Sequence, residues 1–161
     1  MTIPPLSWAD FEAAQPGFAR TVRDRFAAYT HHTLATLRRD GSPRTSGTEV
    51  TIRFGEVLIG SMPGAVKALD LLRDPRLTLQ ANHGEGDTMG GGDVRVGGRA
   101  VEVGEDEELF ARCREEVGAP AGPFHLFRVE LSEVVRTAVE GDELCVTLWR
   151  PGAEPHTFRR K

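Results

Sequence analysis

Cysteine is scarce: 161 residues carry only Cys113 and Cys145. That excludes a disulfide framework and points to a reducing compartment. Neither cysteine has a ligand partner at zinc spacing, which argues against a structural zinc site. A strong charge of one sign is also lacking. The net charge of -4 offers no general attraction for nucleic acid or anionic lipid. The densest basic run, Arg159-Arg160-Lys161, reads as a solvated tail. No stretch approaches the ~18 apolar residues of a membrane span. Pro4, Pro5, Asp10 and Glu12 interrupt any apolar signal core. The expectation is a cytoplasmic protein with no nucleic-acid or membrane partner. There is no G-x-S-x-G elbow, and the glycine-rich stretch 83–92 does not match G-x-G-x-x-G between a strand and a helix. Serine hydrolases and dinucleotide-binding βαβ units are therefore set aside. His31 and His32 are neighbours, so on a strand they face opposite ways and cannot share a metal.

What is present is ordinary for a globular chain: 39% apolar and 27% charged residues. The length predicts one domain over 1–161, with a helical segment at 1–30, a barrel at 31–150 and a tail at 151–161. Ser7 and Asp10 form an N-cap signature, and Trp8, Phe11, Phe18, Val22 and Phe26 recur at helical spacing. Pro16-Gly17 divides this segment into two helices. From Thr33 the pattern turns to strands: 33–37, an Asp40-Gly41 turn, 44–54, a Gly55-Glu56 turn and 57–60. A helix to Arg73 follows, with Val66, Leu69 and Leu72 as its expected buried stripe and Asp74-Pro75 as its stop. Strands at 76–82 and 93–103 flank the glycine loop, and Gly97-Gly98 predicts a bulge. Glu105 to Glu108 open another helix, closed by Gly118-Ala119-Pro120. Strands at 124–137 and 144–150 end the pattern, with a further short one possible through His156-Thr157-Phe158. The class is α+β: six or seven mostly antiparallel strands with a few peripheral helices, closing as a barrel.

The best local signal for chemistry is Ser61-Met62-Pro63-Gly64-Ala65-Val66-Lys67. A strand ends in a small polar residue, and a helix opens with Pro63 near its first turn. Backbone N–H groups at a helix start receive anions. Lys67 reaches the same anion as a point charge, and Ser61 adds a hydroxyl or caps the helix.

A family resemblance adds to this. Leu34-Ala35-Thr36-Leu37, Asp40-Gly41-Ser42-Pro43-Arg44, Gly60-Ser61, Lys67 with Leu71, and Asp74-Pro75-Arg76-Leu77 follow in order. This series resembles the flavin-binding split β-barrel family, whose best-known member is pyridoxamine 5′-phosphate oxidase. The likeness covers roughly residues 30–135. It implies that Ser61, with Met62 beside it, and Lys67 contact a cofactor phosphate. It also implies that the second strand supplies Arg44, Ser46 and Thr48, which alternate and so share one face. Trp149 and Arg150 would line the partner's site in a homodimer that carries the cofactor at its interface. The Arg-rich substrate motif of true pyridoxamine phosphate oxidases is lacking, which argues against that substrate. The look is closer to the branch of flavin- or deazaflavin (F420)-dependent reductases, although Gly47 and Glu49 replace the Pro and aromatic frequent there. The implied function is an FMN- or F420-dependent oxidoreductase that moves hydride to or from a small planar substrate. The alternative is a non-enzymatic flavin, F420 or haem storage protein.

Overall fold

The computed structural model describes residues 4–85, 91–119 and 121–161. Part of the glycine-rich loop, including Gly86 and Gly90, and Pro120 of the helix stop lie outside the described residues. The chain opens with α1 (Trp8–Ala14) and α2 (Pro16–Ala27). The Ser7 hydroxyl accepts from the Asp10 N–H at 3.2 Å, and Asp10 Oδ2 accepts from the Ser7 N–H at 3.1 Å. This reciprocal box satisfies two donors at the start of α1. The two helices bury Trp8, Phe11, Val22 and Phe26, as the periodicity predicts, with Ala19 buried as well and Phe18 half-buried.

Among the described residues nine strands follow: β1 (His31–Leu37), β2 (Pro43–Glu49), β3 (Thr51–Arg53), β4 (Glu56–Ser61), β5 (Arg76–Gln80), β6 (Asp93–Glu102), β7 (His125–Glu140), β8 (Glu143–Trp149) and β9 (His156–Arg160). Helix α3 (Val66–Arg73) lies between β4 and β5, and α4 (Glu108–Val117) between β6 and β7. All named pairs are antiparallel, in the order β2-β1-β5-β6-β7-β4-β3, with β8 on β7 and β9 on β8. The α+β antiparallel class stands, and the strand count rises from the expected six or seven to nine. Two things cause the increase. The stretch 44–54 is interrupted at Val50, so that β2 pairs with β1 while β3 pairs with β4. The C-terminal stretch also pairs fully, with Leu144 to Leu148 opposite Arg160 to His156. The ends of the sheet curl towards each other, and β2 approaches β4 without pairing to it.

The 16-residue β7 is the spine, pairing with β4, β6 and β8. Its register with β6 shifts between Gly97 and Gly98, where the sequence predicts a bulge. A Cβ on Gly98 would collide with the carbonyl of Glu130, so glycine alone lets the two backbones close here. The main core lies between the sheet and α1–α2, around Trp8, Phe11, Leu34, Leu79, Phe127 and Trp149. A second cluster under α4 joins Leu58, Val103, Phe110, Cys113 and Leu126. Among the described residues no helix is long and apolar enough to cross a membrane.

Helix α3 departs from its expected face. Val66, Leu69 and Leu72 are 53%, 49% and 48% exposed, while Ala68, Asp70 and Leu71 are buried. The reason is Asp70, which is 2% exposed. Its Oδ2 accepts from Thr36 Oγ1 at 2.8 Å and from Arg44 Nε at 2.7 Å, and its Oδ1 from Arg73 Nη2 at 2.9 Å. Burial alone would push this carboxyl up. The hydrogen bonds from Arg44, Arg73 and Thr36 bring it below its ordinary value instead. A charged anchor thus sets the rotation of the helix. The helix also begins later than the Pro63 signal implies, at Val66, after Gly64 takes φ +70°.

Two outcomes follow from these contacts. Asp70→Asn removes the counter-charge of Arg44 and Arg73 and is expected to cost about 2 kcal/mol. A lower urea midpoint at unchanged m checks it, and an unchanged midpoint would show that α3 is held otherwise. The second concerns His32, buried on β1, whose Nδ1 accepts from the Asn82 N–H at 3.0 Å beside the Phe26 ring. Burial lowers its pKa from the ordinary 6.5, so the unfolded chain binds more protons than the folded one. The stability His32 contributes is present above that ordinary value and is lost as pH falls through the lowered one. Calorimetry should show a melting temperature that drops as pH falls from about 7.5 through the ordinary value of 6.5. The drop should shrink in His32→Gln; an equal drop in that variant would assign it to other groups.

Candidate functional site

A cleft of about 690 Å³ opens where β2 approaches β4. The size suits a cofactor or drug-sized ligand. One end is polar and is built by β2, β4 and the start of α3: Gly47, Thr48, Glu49, Ser61, Met62 and Lys67. The other end is apolar. Val117, Ala119, Ala121, Pro123, Phe124 and Leu126 wall it, with Leu58 and Cys113 from the second core cluster behind. His31 and Thr51 complete the rim.

The polar end holds unspent donors. Ala65 occupies the N-cap of α3, and no side chain caps that terminus. Its first N–H groups therefore lack an intrahelical acceptor and form the positive end of the helix dipole. Lys67 Nζ donates to the Gly47 carbonyl at 2.8 Å, which ties α3 to β2 and leaves two N–H bonds for a ligand. Burial lowers the pKa of its ammonium, and the charge of Glu49 opposes that shift. Ser61 ends β4 with its hydroxyl 3.5 Å from the Met62 carbonyl, a weak contact that an incoming anion can replace. Uncapped N–H groups, a hydroxyl and a half-buried ammonium fit the phosphate of a flavin-type cofactor, and the apolar wall fits a planar ring.

The eight residues singled out in the sequence divide. Thr48, Ser61, Met62 and Lys67 come together on the cleft. Arg44 and Ser46 share a face with Thr48, as alternation requires, but they do not line the cleft, and Arg44 is engaged by Asp70. Trp149 is 1% exposed and packs against Phe11 with ring centroids 4.6 Å apart, which is a core role. Arg150 is exposed and pairs with Glu133 at 3.5 Å. Glu49 faces the cleft near Lys67 rather than open solvent alone. Sequence reasoning did not find the apolar wall after α4. The small residues at its helix stop read only as a terminus, and the cleft they line exists only once β2 and β4 converge.

Neither cysteine forms a disulfide, and burial pushes both thiols up. Among the described residues no group of three or more His, Cys, Asp or Glu side chains is placed to hold a metal ion.

Solved structures share this architecture. The FMN-binding, pyridoxamine 5′-phosphate oxidase-related protein of Nostoc punctiforme PCC 73102 is 11% identical, with 91% of this chain and 96% of that one covered at a TM-score of 0.63. PhzG of Burkholderia lata 383, solved with tetrahydrophenazine-1-carboxylic acid, is 17% identical over 94% and 92% of the two chains at 0.61. The haem storage protein HutZ of Vibrio cholerae is 16% identical over 70% and 89% at 0.59. At such identities the likeness shows the fold, and it fits a split barrel. No curated protein matches the chain. The family model described as pyridoxamine 5′-phosphate oxidase matches residues 18–138, which span the cleft's polar end, most of β7 and most of the sheet. The chain therefore belongs to the pyridoxamine 5′-phosphate oxidase family.

Proposed function

We propose that this protein is an oxidoreductase that holds FMN or coenzyme F420 in the cleft, with the phosphate at Ser61 and Lys67 and the ring against the apolar wall. The observation that carries the reading is the uncapped start of α3 beside Ser61 and the half-buried Lys67, in a cleft that also has an apolar wall. When bound, the ring would supply two-electron hydride exchange with a small planar substrate. The protein's own part is binding and orientation. Lys67, the α3 amides and the Ser61 hydroxyl hold the phosphate. Val117, Phe124 and Leu126 exclude water along the ring. Thr48 and Glu49 line the polar end beside them.

The site is proposed to be completed in a homodimer. Val66, Leu69 and Leu72 form an exposed apolar stripe on the same helix as Lys67, and Met62 beside it is 78% exposed. A second copy covering that stripe would close the open side of the cleft. Two buried, free thiols suit a reducing compartment, and we place the protein in the cytoplasm. Storage of flavin, F420 or haem without turnover is the second reading, supported by His31, an imidazole that lines the cleft.

Titration of the purified protein with FMN, F420 and haemin decides between these. Wild type should bind FMN or F420 at micromolar levels or better, and Lys67→Ala should weaken that binding about tenfold or more. FMN alone would indicate a flavin oxidase or reductase, and F420 a deazaflavin reductase. Haemin alone would favour storage. An unchanged dissociation constant in Lys67→Ala removes the phosphate site, and no binding of any of the three overturns the functional reading.

A further inference from the structure

The turn between β4 and α3 is held from outside. Within it, Ala65 N–H donates to the Met62 carbonyl at 3.2 Å, and Gly64 takes a left-handed φ of +70°. The Gly64 N–H points out of the turn and donates to His125 Nε2 at 3.3 Å. His125 stands on β7 directly opposite Ser61 in the β4–β7 register. Its Nδ1 lies 3.1 Å from Glu102 Oε1 on β6. The two contacts select one tautomer. A carboxylate only accepts, so Nδ1 carries the proton; a backbone N–H only donates, so Nε2 is bare. The ring lies near-parallel to Phe127, with centroids 6.1 Å apart and planes 18° apart, and its side chain is 21% exposed. His125 is not among the residues that line the cleft. Its neighbours are the turn that carries Met62 and Pro63 to the cleft and the strand end that carries Ser61.

We infer that Glu102 and His125 form a latch that fixes the Met62–Ala65 turn, so that Ser61 and the first amides of α3 converge on the anion. His125 is thus a positioning residue for the phosphate end of the cleft, and the inference rests on the phosphate reading above. Without an acceptor at Nε2, the Gly64 N–H turns to water and the start of α3 loses its fixed relation to Ser61. The donors remain, but they no longer meet at one point, and affinity drops with no change in charge.

The test uses the ligand-free chain and its FMN complex, with His125→Leu and His125→Gln. Leucine removes the acceptor, whereas the Gln amide oxygen restores one. Amide hydrogen exchange read by NMR should show Gly64 exchanging about tenfold faster in His125→Leu, with the amides of β1 and β5 unchanged. The FMN dissociation constant should rise about tenfold in the same variant, and His125→Gln should bring both readings back towards wild type. Equal Gly64 exchange in wild type and His125→Leu overturns the latch. Faster exchange with an unchanged FMN constant overturns the positioning role while the phosphate reading stands. A wild type that binds no FMN, with inorganic phosphate leaving the Ser61 and Lys67 amide signals unmoved, overturns the phosphate reading and the positioning role together. In that case the Gly64 contrast between the variants would mark a purely structural contact.

Discussion

One buried carboxylate sets the geometry of the site. Asp70 accepts from Thr36 on β1, Arg44 on β2 and Arg73 on its own helix. A buried charge is tolerated only where partners of this kind surround it, so α3 has one rotation in which Asp70 is satisfied. At 3.6 residues per turn, a residue three positions earlier lies on nearly the same side. Lys67 is that residue, and its ammonium consequently meets β2 at the Gly47 carbonyl. The same rotation carries Val66, Leu69 and Leu72 outwards. The position of the cation, the tie between helix and sheet, and the exposed apolar stripe all follow from one side chain.

The cleft is amphipathic because two different pieces of the fold meet there. The polar end comes from strand ends and a helix start, where backbone groups are unpaired by construction. The apolar end comes from the segment that follows α4, held down by the second core cluster through Phe110, Phe124 and Leu126. β7 links them: its first residues pair with β4 below Ser61, and its later residues pair with β6 and β8. The Gly97–Gly98 shift in the β6–β7 register lets this long strand bend as it passes from one partner to the next.

Much of this was legible in the sequence because it depends on local rules. The Asp40-Gly41 turn forms a tight loop, with Gly41 at φ +84° and Asp40 accepting from the Ser42 N–H at 2.9 Å. Ser7 and Asp10 cap as a pair, and the glycine pair marks the bulge. Strand alternation sends His31 and His32 to opposite faces, and the structure has His31 exposed and His32 buried. What failed depends on partners far along the chain. The stripe Val66, Leu69, Leu72 has the spacing of a buried face, and nothing near Asp70 in sequence reveals Thr36 and Arg44, 34 and 26 residues away. Trp149 reads equally as a strand end or a site residue until α1 brings Phe11 against it. Arg44 has the right spacing for an anion ligand, yet its Nε is directed to Asp70 instead.

With Arg44 engaged, the phosphate end has an unusual balance of charge. Lys67 supplies one positive side chain, and Glu49 lines the same cleft with a negative one. Side-chain charge there nearly cancels, so Coulomb attraction alone does not favour a dianion over water. The remaining favourable terms are directional: backbone amides of an uncapped helix and a hydroxyl, each effective only within hydrogen-bond range and alignment. A site that relies on direction more than on charge is sensitive to the conformation of the turn that supplies the donors. That is why a histidine outside the cleft, which holds the Gly64 amide and stands opposite Ser61 on β7, bears on the phosphate end.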